Sequence, residues 1–262
     1  MNVFSDSLAY LFDGANWRGY DGMLALLVEQ LLLTATAMVL AAGVALPLAL
    51  TLGHLGRGGF LAINLTNFGR AVPTFALLAI FVVADPWGWT GGRFPGAAEL
   101  GPYGRAGAST LAALALFALP PIVTNAYVAM REVPGEVVEA ARGMGMTGRQ
   151  LFFRVELPLA LPLIVSGLRL ALVQVWATAT IAALVVGPGL GKVIVDGFDS
   201  EDYGKGIAGA VVVAVMALVL EVAASLVERW ARPESGPPPA RDVEAAVSVP
   251  APTVVASADD GH

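Results

Sequence analysis

The chain has 262 residues, 56% of them hydrophobic and 14% charged, with a formal net charge of −6 and a mean hydropathy of +0.72. A soluble domain carries roughly 25% charged residues, so this composition is that of a polytopic membrane protein, and its acidic balance gives nucleic acid no basic surface. With no cysteine, and with His54 and His262 as the two imidazoles, there is no thiolate site, disulfide or cysteine nucleophile, and no metal site is expected.

Residues 1–22 are expected to form a short extracytoplasmic amphipathic lead, with Phe4, Leu8, Leu11, Phe12 and Trp17 turned toward lipid. They are not read as a cleavable signal, because no basic segment precedes Arg18 and the first apolar run is too long. A bilayer crossing needs about 20 apolar residues, and five stretches meet or approach that length. They are Leu31 to Gly53, Phe60 to Ala84 with Arg70 inside, Ala106 to Met130, Leu159 to Gly187 with Arg169, and Ile207 to Val227 with Glu221. Pro47, Pro73, Pro120, Pro121 and Pro162 are expected to interrupt these spans. Residues 23–230 form the transmembrane domain in this reading. Residues 231–262, with six prolines between Pro233 and Pro252 and no aromatic residue after Trp230, read as a disordered cytoplasmic tail.

Five spans put the termini on opposite sides. Placing the loop that follows the third span inside leaves nine arginines at or near the cytoplasm, from Arg57 to Arg241, against Arg18, Arg93, Arg105, Lys192 and Lys205 outside. The positive-inside bias therefore favours an outer N-terminus and an inner C-terminus.

The loop itself, residues 131–158, reads as two short helices with a hinge. Pro134 suits a first helical turn, Glu136 and Glu139 lie near the positive end of the helix dipole, and Gly145 is the natural stop. Thr147 and Gln150 have the spacing of a capping box, so a second helix is expected from Gly148, presenting Leu151, Phe152 and Phe153 beside Arg149 and Arg154 until Pro158 breaks it. A pair of interfacial helices resting on lipid headgroups is the competing reading of the same spacing.

Glu139-Ala140-Ala141, Gly145 after three residues, and Val155-Glu156-Leu157-Pro158 after nine more resemble the signature of binding-protein-dependent ABC importer permeases. Phe117 to Tyr127, Ala141 to Thr147 and Ala179 to Ala183 resemble the permeases for osmoprotectants such as glycine betaine, choline and carnitine. Thr124 stands where arginine is common in that subfamily, and residues 187–191 replace a more glycine-rich run. The resemblance covers about Asn16 to Phe198. It implies an all-α type I ABC importer permease fold with five transmembrane helices, in a bacterial cytoplasmic membrane. The implied function is ATP-driven import of osmoprotectants or similar quaternary ammonium solutes. The implied partners are a cytoplasmic ATPase dimer, a second permease subunit, identical or homologous, and an extracytoplasmic solute-binding protein. Glu139, Ala140, Ala141, Arg142, Gly145, Thr147, Arg149, Phe152, Leu157 and Pro158 would carry the ATPase coupling. The chain has no phosphate-binding loop motif of its own, so ATP and magnesium would sit on the ATPase and this subunit is not an enzyme.

Polar residues within spans are candidates for the translocation path: Arg70, Asn125, Arg169, Gln174, Trp176 and Thr180. Of these, Trp176 has the ring face to hold a quaternary ammonium. Glu221 is near enough to the inner surface to snorkel, and Arg169 is expected to bond helix-end carbonyls. Asp196, Asp199, Glu201 and Asp202 form an acidic outer rim. Two alternatives stand beside the osmoprotectant reading: an ABC permease for methionine or sulfonates, and an ion-driven secondary transporter, which would need inverted repeats and paired intramembrane acids.

Overall fold

The computed structural model describes residues 3–19, 21–60, 64, 73–84, 107–185 and 189–231, and every regular element among them is helical. The helices are α1 (Val3–Phe12), α2 (Met23–His54), α3 (Thr74–Val83), α4 (Gly107–Arg131), α5 (Gly135–Gly143), α6 (Gly148–Leu151), α7 (Leu157–Ala182), α8 (Gly191–Asp199) and α9 (Tyr203–Ala231). A π-helical turn, Phe152–Glu156, joins α6 to α7, and a 3-10 turn, Ala183–Val185, follows α7.

Among the described residues four segments are long and apolar enough to cross a bilayer: Met23–His54, Ala108–Arg131, Gly148–Val185 and Tyr203–Ala231. They correspond to the first, third, fourth and fifth expected spans. Helix α3 is part of the second, while Arg70 and residues 232–262 lie outside the described residues. The 38-residue segment from Gly148 is about 57 Å long at 1.5 Å per residue, against a hydrocarbon layer of roughly 30 Å, so it extends well beyond the bilayer.

Lipid tails are as apolar as leucine, so apolar burial gives membrane helices little reason to associate, and close packing of small residues takes its place. Helix α2 carries alanine at 37, 41, 45 and 49, a ridge at fourfold spacing that lies along one face. All four are buried in a core with Leu114, Ala118, Ile122 and Ala126 of α4 and with Ala171, Val175 and Ala179 of α7. At two close crossings between spans one partner is a glycine. A Cβ on Gly53 would lie 2.5 Å from the Met130 Cβ, and one on Gly167 would lie 2.4 Å from the Asn125 Cβ.

Two expectations change. Pro47, Pro120, Pro121 and Pro162 lie inside helices that continue past them, and Pro73 caps the start of α3. The helices run on because long flanking runs keep their own hydrogen bonds; one turn past two of the prolines a side chain bonds back to the proline carbonyl, Thr51 Oγ1 to Pro47 and Asn125 Nδ2 to Pro121, both at 2.7 Å. In the N-terminal lead, Phe4, Leu8 and Phe12 are exposed as expected, but Leu11 and Trp17 pack inward on a second cluster formed by Met23, Leu26, Trp176 and Leu190. The Trp17 indole needs an acceptor once it is partly buried, and it finds the Leu11 carbonyl at 2.7 Å.

The crossings set up a comparison. Gly167→Ala should lower stability by about 1–3 kcal/mol through overpacking, whereas Gly43→Ala, where a Cβ meets nothing within 4 Å, should be neutral or stabilising. Thermal unfolding in detergent measures both, and equal losses would contradict the packing assignment.

Candidate functional site

Helix α5 begins after Pro134, whose carbonyl accepts the amides of Val137 and Val138. It ends in a Schellman turn: the Met146 amide bonds the Ala141 carbonyl at 3.2 Å, the Gly145 amide bonds that of Arg142 at 2.9 Å, and Gly145 has φ +79. That left-handed conformation is what a glycine at this position permits. Both halves of the capping box are present, since the Thr147 amide donates to Gln150 Oε1 at 2.9 Å and the Gln150 amide to Thr147 Oγ1 at 3.4 Å.

Pro158 does not end the second helix. Ahead of it the chain widens into the π turn, in which the Leu157 amide bonds the Phe152 carbonyl. The helix then passes Pro158 near the first turn of α7, where wider spacing tolerates a residue lacking N–H. The extra residue also rotates the side chains. Leu151 is buried, and Phe152 turns inward to the core and lies edge-on to His54, while Phe153 is 56% exposed. Phe152, expected on the outer face, is therefore a packing residue. The exposed apolar positions of the loop are Phe153, Met144 and Val137, of which the last two escape motif reading because neither belongs to a fixed position of the signature. Around them Glu139, Ala140, Arg142, Gly145, Thr147, Arg149 and Pro158 are exposed, while Ala141 is buried and Leu157 is half-buried. The loop thus exposes three apolar side chains together with charges of both signs.

The second constellation lies within the spans. Arg169 bonds acidic side chains of α9 rather than helix-end carbonyls. Its Nε donates to Glu221 Oε1 at 2.8 Å, its Nη2 also meets Glu221, and its Nη1 donates to Glu228 Oε2 at 2.7 Å. Glu221 is thus paired rather than snorkelling, because a neighbouring helix brings a guanidinium to it. Arg169 also forms part of the wall of an apolar groove of about 500 Å³ between α2, α7 and α9, with Met38, Leu168, Leu172 and Leu220.

Trp176 is 1% exposed and its indole donates to the Val213 carbonyl at 3.2 Å, so its ring faces this chain's own helices. Thr180 receives a hydrogen bond at 2.9 Å from Gln30, a fully buried residue that composition and motifs do not single out. The other end of that amide accepts from the Leu190 N–H at 2.8 Å, and neighbouring Glu29 accepts from Gly189 at 3.1 Å. Asn125 sits at the α4–α7 crossing and Gln174 is exposed. The described path candidates are therefore brought together only in part: Trp176 and Thr180 share the Gln30 cluster, with Arg169 and Asn125 elsewhere.

In the acidic rim, Asp196 lies 3.6 Å from Lys205, and Asp202 Oδ1 accepts the Lys205 amide at 3.1 Å at the start of α9. Burial pushes the Tyr10 phenol above its usual range, and Asp202 and Asp196 add to the shift. The hydrogen bond that the Lys192 ammonium donates to the Asp21 carboxylate raises its pKa. Among the described residues no group of three or more His, Cys, Asp or Glu could hold a metal ion.

Over residues 41–233 the chain matches a family described as binding-protein-dependent transport system inner membrane component. It is 29% identical over 206 residues to the glycine betaine/carnitine/choline transport system permease protein OpuCB of Bacillus subtilis (strain 168), across 79% of this chain and 87% of that protein. It is 32% identical over 207 residues to the carnitine transport permease protein OpuCD of Listeria monocytogenes, across 78% and 84%. Among solved structures it resembles the inward-facing MetNI methionine ABC transporter in its native crystal form, with a TM-score of 0.63 and 21% identity over 80% of this chain and 98% of that one. That likeness is one of fold, the type I ABC importer permease.

Gly145 offers a local test. No atom lies within 4 Å of its Cβ position, so substitution there costs backbone strain alone, about 1–2 kcal/mol for alanine. Thermal unfolding should rank Gly145→Asn above Gly145→Ala and both above Gly145→Val, and a neutral valine would refute the left-handed turn.

Proposed function

We infer the function of this chain from its membership: it belongs to the family of binding-protein-dependent transport system inner membrane components. It is a multi-pass membrane subunit of an ATP-driven importer, whose partners are an ATPase subunit and a solute-binding protein. Within that role its solutes are osmoprotectants or similar quaternary ammonium compounds, as the names of its relatives support. Two permease subunits, identical or homologous, surround one path, and ATP with magnesium sits on a cytoplasmic ATPase dimer. The loop of residues 131–158 faces the cytoplasm, with the N-terminus outside and the C-terminus inside, as the arginine distribution favours.

The observation that carries the coupling role is the unbroken helix from Gly148 through the π turn to Val185. A loop that merely rested on headgroups would have no need of a rigid connection into a span. Here a push on exposed Phe153 is delivered to α7 directly, while Glu139, Arg142 and Arg149 set the orientation of the docked ATPase. Substrate binding and occlusion fall to the solute-binding protein and to the path between the two permeases. Trp176 is spent on internal packing and contributes no cation-holding ring in this conformation.

The test is uptake of labelled glycine betaine into proteoliposomes holding this chain with its ATPase and binding protein. Uptake should require ATP and both partners, stop with vanadate, and fall to background in Gly145→Trp while the variant still inserts in membranes. Uptake driven by an ion gradient without ATP, or normal uptake by Gly145→Trp, would reject the coupling role.

A further inference from the structure

We propose that His54 is the positioning residue through which the coupling loop moves the first span; this rests on the reading of residues 131–158 as the ATPase contact. Helix α2 reaches the loop end of the bundle and closes there in its own Schellman turn, with the Arg57 amide on the Leu52 carbonyl, the Gly56 amide on that of Gly53, and Gly56 at φ +65. His54 stands in the last turn. Its Nδ1 meets Glu156 Oε2. Its ring lies edge-on to Phe152, with centroids 5.3 Å apart and planes at 82°. Its Nε2 is 3.9 Å from the point a Gly148 Cβ would occupy.

One imidazole therefore contacts Phe152 and Glu156 and lies beside Gly148, along the segment that leads from the loop into α7. Glu156 is 6% exposed, and a carboxylate at that depth needs a donor. The imidazole supplies one whether it is neutral with its proton on Nδ1 or charged, so the contact has direction in either state. Beside His54, α2 packs closely on α4, where a Cβ on Gly53 would lie 2.5 Å from the Met130 Cβ. A displacement of α6 must either carry the end of α2 with it or break the His54–Glu156 contact.

The chain has no cysteine, so spin labels at Val39→Cys and Arg154→Cys, both on exposed side chains, report the distance within each permease between α2 and the helix that runs from the loop into α7. In the complex purified with its ATPase, that distance should stay narrow between the nucleotide-free state and the state trapped with ATP and vanadate. His54→Ala should about double the width of the trapped-state distribution. His54→Asn, whose side-chain amide nitrogen takes the place of Nδ1, should restore it. An unchanged width in His54→Ala, or a His54→Asn variant as broad as His54→Ala, overturns the proposal while leaving the coupling loop in place. Failure of any ATPase to purify with the wild-type chain sinks both.

Discussion

The amide of Leu157 reaches back to the carbonyl of Phe152, one residue further than an α-helix requires, and the mechanical design of the molecule depends on that wide turn. A proline at position 158 invites a break between loop and span. By widening just before it, the chain keeps its helix, and the loop and the fourth span become one body of 38 residues. The bend is instead confined to Gly145, between the two loop helices, where a left-handed residue lets α5 stop and α6 begin. The same turn rotates Phe152 into the core and leaves Phe153 outside, which decides what the loop can offer to a neighbour.

Within the spans, hydrogen bonding and charge pairing fasten helices together more than they line an opening. Helix α2 and the segment from Glu156 to Thr180 run antiparallel and are tied at both ends. Gln30 bonds Thr180 at one end and His54 meets Glu156 at the other, with the alanine ridge of α2 between them. Helix α9 is tied to α7 by Arg169 with Glu221 and Glu228. Removing any one partner would leave a charge or amide in a medium that does not solvate it, which makes these contacts strong constraints on which helices move together.

Much of this was legible in the residues. The scarcity of charge over five apolar runs gave five spans, four of which are long helices among the described residues, and the Pro134, Gly145, Thr147 and Gln150 pattern gave the loop helices, because caps and turns are set by local chemistry. The family signature is local too. The continuous helix past Pro158 was not legible, because whether a proline breaks a helix depends on the hydrogen bonds its neighbours can rearrange. Nor were the partners of Arg169, which lie 52 and 59 residues away, or the roles of Gln30 and His54. An isolated Gln or His in an apolar run has no periodic signal, and only the antiparallel register of two distant helices reveals what it bonds. Glu201, counted in the acidic rim, is also a left-handed residue just past α8, with φ +59, which its residue type does not signal.

The claim on which the function turns is that an ATPase grips the loop of residues 131–158 from inside the cell. A photo-activated cross-linker placed at Met144, exposed at the tip of α5, tests it in intact cells. The expected product is an adduct with the ATPase subunit. An adduct with the solute-binding protein instead, or none with any ATPase while the chain remains active in uptake, would contradict it.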